Sequence, residues 1–376
     1  MKIGIDARFF GPFGKGLGRY TQKLIEYLEK VDLENQYIIY LKKENFDDYQ
    51  PKNNNFTKKL ADVQWYTVNE QFAMPKILNK ENFDLVHFPH FNIPVFYRKP
   101  FVATIHDVII TNHPTTKATT LGPLLYKIKQ LGYKFVIRSA VKRAKKVIAV
   151  SGYSKSEILR HFKTTSEKVV VTYESSDFNK DVCSIHDPEY LKSKFNISPH
   201  YWLYVGNAYP HKNLEILVKS WKRLKADNFT NKLVLVGKED YFYTKIKELV
   251  KQEGLEEMVV FTGFVNDAEL CLLYQQAVGY IFPSLCEGFG LPPLEAASQG
   301  APVLTSSSSC LPEVMGNAAL YFDPYSIDDI VEKVKIVTGD KNLQESLRES
   351  GLKQVKKYSW RKTAEETLAV YRSVLK

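Results

Sequence analysis

The chain reads as an α/β protein of two parallel-sheet domains, and three observations carry that expectation. Short apolar runs of β type alternate with longer segments of 3.6-residue period along almost the whole sequence. Such alternation puts helices on both faces of parallel strands. It pauses once, near residues 178–200, in the polar and weakly periodic stretch DFNKDVCSIHDPEYLKSKFNISPH. The 376 residues also exceed what one ordinary core encloses.

The elements follow in order. KIGIDA opens as a strand, and a glycine-rich turn, GPFGKGLGR, leads into the helix RYTQKLIEYLEK. The strands YIIYL, DLVHF and PFVATIHD come next, then a long basic helix, KKVIAVS, the helix GYSKSEILRHF, and KVVVTY. After the pause the pattern restarts at YWLYVGN and runs through KLVLVGK, MVVFTGF, GYIFPS, APVLTS and ALYFD, with helices between. SWRKTAEETLAVYRSVLK closes the sequence as one amphipathic helix. The expected division is residues 1–180, residues 181–357 and a final helix over 358–376.

Composition narrows the class. At 44% hydrophobic and 25% charged residues the chain is of soluble globular type. The N-terminus reads as a strand rather than a leader, and no apolar run nears the ~18 residues of a membrane span. Cys183, Cys271, Cys286 and Cys310 are far apart with no C-x-x-C. Neither a disulfide framework nor a zinc site is expected, Cys286 reads as a small buried thiol, and a cytoplasmic setting fits.

The net charge of +10 is uneven. Residues 1–180 hold 29 Lys+Arg and 17 Asp+Glu, a balance of +12, whereas residues 181–376 hold 23 and 25, a balance of −2. No acidic residue occurs between Asp107 and Glu157, where Leu121, Leu124, Leu125, Ile128, Leu131, Phe135 and Ile137 recur among lysines. Two readings of this basic helix stay open. One face packs in the core and the other is solvated, or the helix docks on an anionic membrane surface. No helix-turn-helix, RNA-recognition or zinc pattern accompanies the charge, so a nucleic-acid partner is not expected.

The stretch CEGFGLPPLEAASQG, Cys286 to Gly300, carries the strongest chemical signal. It follows the buried strand YIFPS, so EGFG lies at the carboxyl end of a strand, where α/β sheets place ligands. Gly288 and Gly290 let backbone approach a ligand and adopt positive φ. Pro292 and Pro293 suit the first turn of a helix, which ends at Gly300. That helix N-terminus offers N–H groups and partial positive charge to a phosphate. Glu287 and Glu295 flank it, placed to accept hydrogen bonds from sugar hydroxyls.

VGNAYPHKN is a second strand end, with Gly206 at a tight turn and Lys212 just before a helix, where an ammonium neutralises a diphosphate. Gly14, Gly16 and Gly18 give G-x-G-x-G, which is not the G-x-G-x-x-G of dinucleotide enzymes. FVATIHDVI ends a third strand with His106, able to bond a sugar hydroxyl, and with Asp107, read as the cap of the local turn. His87, His90 and His113 lie nearby at irregular spacing, and no metal site is expected of them. No D-x-D occurs.

Read together, these segments resemble one family. EGFGLPPLE is similar to the E-x7-E signature of the retaining glycosyltransferases of family 4, also called glycosyltransferases group 1. GAPVLTSSSSCLPEVMGNAALYFDP, YVGNAYPHKNLEILVKSW, LVLVG, VVFTGFV, TIHD and VSGYSKSEILRHF resemble that family in the same order.

The resemblance implies the GT-B fold: two Rossmann-like domains facing across a cleft, with the C-terminal helix returning to the N-terminal domain. It implies an N-terminal acceptor domain and a C-terminal domain for the nucleotide sugar, with no metal and no cofactor. The implied donor site comprises Gly14, Gly16, Gly206, Asn207, Lys212, Val265, Glu287, Gly288, Phe289, Gly290, Leu291 and Glu295. Glu295 would hold the ribose, the segment Thr262 to Val265 the base edge, and Glu287 the transferred sugar. His106, Glu287 and Lys212 are the implied catalytic residues. Asn207 stands where the family commonly has an arginine, which leaves Lys212 without its usual cationic partner.

The implied reaction moves a hexose, mannose from GDP-mannose by the nearest resemblance, to a saccharide or lipid-linked saccharide in O-antigen or capsule synthesis. It would take place in the cytoplasm, at the inner face of the cell membrane if the basic helix docks there. A non-catalytic partner of the same fold, or a sugar-nucleotide epimerase, is the alternative.

Overall fold

The computed structural model describes residues 1–11, 14–112, 123–176 and 189–374. They form two compact units. Met1–Glu174 joins Ser359–Lys376 in the first, and Ser175–Tyr358 makes the second. The first boundary falls soon after the last strand of the first sheet, and the closing helix belongs to the first unit.

The first unit runs β1 (Lys2–Asp6), α1 (Lys15–Val31), β2 (Gln36–Leu41), β3 (Phe56–Leu60), α2 (Val68–Leu78), β4 (Leu85–Phe88), β5 (Phe101–Ile105), α3 (Ile109–Asn112), α4 (Pro123–Arg143), β6 (Lys146–Ala149), α5 (Gly152–His161) and β7 (Val169–Val171). Its seven strands are parallel in the order β3-β2-β1-β4-β5-β6-β7. The order reverses between β1 and β4.

The second unit runs α6 (Glu189–Phe195), β8 (Trp202–Val205), α7 (Leu214–Ala226), β9 (Leu233–Val236), α8 (Tyr241–Gln252), β10 (Val259–Gly263), α9 (Asp267–Gln276), β11 (Gly279–Phe282), α10 (Leu291–Ser298), β12 (Val303–Ser306), α11 (Leu311–Met315), β13 (Ala319–Phe322), α12 (Ile327–Gly339) and α13 (Lys341–Val355). Its six parallel strands are ordered β10-β9-β8-β11-β12-β13, reversing between β8 and β11. The last helix, α14 (Trp360–Val374), packs in the first unit.

The packing explains the patterns. Along β2, Tyr37, Ile39 and Leu41 enter one core with Ile3 and Ile5, while Ile38 and Tyr40 enter the core on the other face. Strands buried on both sides read as continuous apolar runs for that reason. Trp360, Ala364, Leu368 and Tyr371 of α14 share the first core with Tyr20, Leu24, Ile25 and Leu28 of α1. The Tyr371 hydroxyl reaches His87 Nδ1 at 2.7 Å.

Some features depart from expectation. β3, FTKKL, carries no alternating apolar signal because it is an edge strand: Lys59 is exposed, and the half-buried Lys58 donates to the carbonyls of Phe46 and Tyr49 at 2.8 and 2.9 Å. The glycine-rich stretch is not a free turn: Gly14 caps α1, and Gly16 and Gly18 lie within its first turns. Cys286 and Cys310 are free and buried, and Cys183 lies outside the described residues. Leu121 lies outside the described residues, as do the side chains of Leu124 and Leu125. On the described part of α4, Ile137, Ala140 and Val141 are buried, but Ile128, Leu131 and Phe135 are 58%, 68% and 64% exposed. The apolar face of this helix is therefore only half used by the core.

Candidate functional site

In the second unit, the order reversal places the loops after β8 and β11 side by side at the carboxyl edge, the position where open α/β sheets bind ligands. The first loop carries Gly206, Asn207 and Lys212, and the second carries Glu287 to Gly290. These segments, about 75 residues apart in sequence, meet directly. Lys212 Nζ donates to Glu287 Oε1 at 2.5 Å, and Ser284 Oγ donates to the same oxygen at 2.5 Å. The Lys212 and Glu287 side chains are only 12% and 11% exposed, so this is an ion pair taken largely out of water. Lys212 also stands 5.1 Å over the Phe282 ring. The Glu287 backbone N–H donates to Ser309 Oγ at 3.1 Å, and the Leu285 N–H donates to the carbonyl of His211 at 2.8 Å.

Gly206 and Gly290 each have a local reason at this edge. Gly206 has φ 153°, and an added Cβ would fall 2.7 Å from the Tyr204 hydroxyl oxygen. That hydroxyl donates to the Asn207 carbonyl at 2.7 Å, while Tyr243 donates to the Gly206 carbonyl at 2.8 Å. The Asn207 side chain accepts from the Tyr209 N–H at 3.2 Å, so it shapes the loop. Gly290 caps α10 at φ 84°, with room for a Cβ only 2.8 Å from Leu311 Cδ2.

The two prolines follow in the first turn. They lack N–H groups, which leaves Gly290 and Leu291 as the donors of that helix end. Phe289 is buried edge-on against Tyr358, with centroids 5.5 Å apart. Glu295, like Glu287, is buried. Val265 is buried, while its neighbour Phe264 is exposed.

In the first unit, His106 ends β5 with both ring nitrogens engaged. Nδ1 is 2.8 Å from Glu174 Oε1, and Nε2 is 3.0 Å from the Pro89 carbonyl oxygen. Both partners are oxygen acceptors, so the ring donates twice and is held as an imidazolium. Burial pulls the His106 pKa down, but the hydrogen bond and charge of Glu174, aided by the Pro89 carbonyl, override it and leave the value raised. Both ring nitrogens of His106 are thus engaged within the first unit. Asp107 caps its turn as expected, accepting from the Ile109 N–H at 2.9 Å.

His87 is a structural histidine between Tyr371 and Thr104, its pKa pulled down to about 3 by burial. His113 lies outside the described residues. Gly14 and Gly18 are required by packing, since a Cβ on either would fall 2.0 Å from a carbonyl oxygen, of Phe9 and Gly11 respectively. Gly16 is exposed, with nothing within 4 Å of its Cβ position.

Sequence reasoning missed Ser284, Ser309, Tyr204 and Glu174. All are common residue types with no spacing signal, and they reach the site through the fold.

Comparisons with known proteins identify the family. Residues 189–354 match the family described as Glycosyl transferases group 1, and residues 14–178 match Glycosyltransferase Family 4. The O-antigen chain mannosyltransferase RfbU of Salmonella typhimurium is 27% identical over 327 residues, 84% of either chain. O-antigen chain mannosyltransferase B of Escherichia coli is 29% identical over 294 residues, covering 77% of this chain and 74% of its own.

Among solved structures, sucrose-phosphate synthase from Thermosynechococcus elongatus superposes with TM-score 0.77 at 17% identity, over 100% of this chain and 99% of that one. Anabaena HepE, in complex with UDP and glucose, gives 0.76 at 15% identity, over 99% and 100%. The two family matches cover both units, and these neighbours share the fold over their whole length. The chain belongs to the glycosyltransferases of group 1 and family 4, with the two-domain GT-B architecture.

Proposed function

We propose that this chain is a retaining glycosyltransferase that moves mannose from GDP-mannose to a saccharide or lipid-linked saccharide acceptor in surface polysaccharide synthesis. The observation that carries the site is the Lys212–Glu287 pair, seated where the sheet order of the second unit reverses. The mannosyltransferase relatives support the choice of sugar.

The donor diphosphate competes for Lys212 and meets the N–H groups of Gly290 and Leu291. Glu287, released from the ammonium, accepts hydrogen bonds from the transferred sugar. Glu295 holds the ribose, and the backbone at Thr262 to Val265 meets the base. The bond between the anomeric carbon and the diphosphate oxygen breaks, and its electron pair leaves with the diphosphate. The acceptor oxygen bonds to the same face of that carbon, and its proton passes to the departing phosphate oxygen. His106 supplies a fixed positive charge on the acceptor side and does not act as a base.

A second part of this reading is peripheral contact with an anionic membrane. No helix among the described residues is long and apolar enough to cross a membrane. The exposed Ile128, Leu131 and Phe135 stripe of α4 lies among Lys127, Lys129, Lys134 and Arg138, a pattern that suits a surface-bound helix.

The test is substitution of Lys212, Glu287 and Glu295 by alanine with assay of sugar transfer, beside a thermal-shift screen of UDP-, GDP- and ADP-sugars. Wild-type turnover in all three variants would refute the site. Stabilisation by UDP- or ADP-sugars alone would refute GDP-mannose.

A further inference from the structure

A group of aromatic side chains in the first unit has no part in donor binding or bond transfer. Phe9 follows β1, Trp65 and Tyr66 follow β3, and His90 follows β4, all past the carboxyl ends of parallel strands. Phe9 stacks on Trp65 with ring centroids 4.3 Å apart and 26° between planes. Tyr66 meets Phe9 edge-on at 6.3 Å, and His90 lies 5.5 Å from Phe9 and 6.0 Å from Tyr66. These turns surround the point where the sheet order reverses between β1 and β4, the ligand position of such sheets.

Tyr66 differs from its neighbours. It is 56% exposed and sits at φ 61°, a conformation that a bulky L-residue adopts only at a cost. A buried ionic network holds it there. The Tyr66 N–H donates to Glu70 Oε2 at 2.8 Å. Glu70 accepts from Arg8 at 2.6 Å and from Asn92 at 2.9 and 3.0 Å. Arg8 forks onto Asp6 at 2.7 and 2.8 Å, and neither Arg8 nor Glu70 is exposed to solvent.

Burying such charges gains little for stability. Here they fix one exposed ring in an unfavourable backbone state. Burial, helped by the charge of His106 at 6.5 Å, pulls the His90 pKa down to about 3, so His90 itself is a neutral, hydrogen-bonding neighbour of the ring. An exposed aromatic ring beside a neutral, hydrogen-bonding histidine fits the C–H face and hydroxyls of a pyranose.

We infer that Tyr66, backed by Phe9 and Trp65, is the stacking residue for a neutral sugar ring of the acceptor saccharide, an inference that rests on the glycosyltransferase reading. Trp65 provides the signal, because Trp202, Trp221 and Trp360 are only 0%, 0% and 2% exposed. Acrylamide quenching of tryptophan fluorescence is measured with neutral disaccharides ending in mannose, galactose, glucose or N-acetylglucosamine. At least one disaccharide shields Trp65 in the wild type and in Tyr66→Phe. In Tyr66→Gly its apparent affinity falls about tenfold, the loss of a single good contact. Glycine has no penalty at this φ, so Tyr66→Gly keeps the wild-type melting temperature.

Absence of shielding by every disaccharide, or equal shielding in Tyr66→Gly, overturns the inference. So does a Tyr66→Gly variant that melts far below the wild type, which would assign the ring to packing. Stabilisation by a nucleotide sugar reports on donor binding separately. If it persists, only the acceptor inference falls, and if no nucleotide sugar stabilises the protein, the glycosyltransferase reading falls with it.

Discussion

Lys212 and Glu287 neutralise each other at 2.5 Å in a setting that both share with Ser284. The only ammonium that sequence reasoning assigned to the diphosphate is thus already paired with the carboxylate assigned to the sugar. Donor binding becomes an exchange of partners: a diphosphate takes the cation, and sugar hydroxyls take the anion.

Removing one member leaves a buried charge alone. Lys212→Met is expected to lower stability by roughly 3 kcal/mol, since breaking a buried pair costs more than the pair contributes. The double variant Lys212→Met/Glu287→Leu is expected to recover most of that loss in urea titrations while remaining inactive. Equal stability of the single and double variants would argue against the coupling.

The glycines of α1 separate packing from ligand approach. Gly18→Ala drives a Cβ to 2.0 Å from the Gly11 carbonyl oxygen and is expected to unfold the first unit locally, costing about 3 kcal/mol or more. Gly16→Ala meets nothing within 4 Å and is expected to stabilise the helix by about 0.5 kcal/mol. If the backbone of Gly16 approaches the diphosphate, the same variant loses turnover although it melts higher. Unchanged turnover would remove Gly16 from the donor site.

His106 ties stability to pH. Its folded pKa is raised, so its contribution is complete below the unfolded value near 6.5 and is lost as pH rises through the folded value. Glu174→Gln is expected to flatten that decline in a series of melting temperatures above about pH 6.5. His87 works in the opposite sense. Held neutral by burial, it contributes fully above about 6.5 and loses that contribution as pH falls toward about 3. Parallel pH profiles of the wild type and Glu174→Gln above neutrality would refute the imidazolium.

Co-sedimentation with vesicles tests the exposed stripe of α4. Binding is expected to rise with the fraction of anionic lipid, and Leu131→Asp/Phe135→Asp is expected to reduce it about tenfold or more with turnover on a soluble acceptor retained. Both residues are exposed, so neither change disturbs the core. Binding indifferent to lipid charge would favour a merely solvated basic face.

The amino-acid sequence by itself determined most of the strands, most of the helices between them and the two-domain α/β architecture, and it singled out the candidate site residues. These features are local. Strands buried on both faces read as apolar runs, the E-x7-E stretch joins glycines, prolines and carboxylates over 15 residues, and Gly290 reveals its positive φ by its identity. The tertiary structure alone decided which residues meet. The reversal between β8 and β11 brings Lys212 to Glu287, and the turn after β7 sets Glu174 on His106 after β5, contacts 75 and 68 residues apart in the chain. It also decided that α14 packs on α1, because an amphipathic face says that it is covered and not by what. The lysine-bearing edge strand β3 and the helical start at Gly14 were hidden for a related reason. Their side chains follow long-range pairing and close packing, which override local propensity.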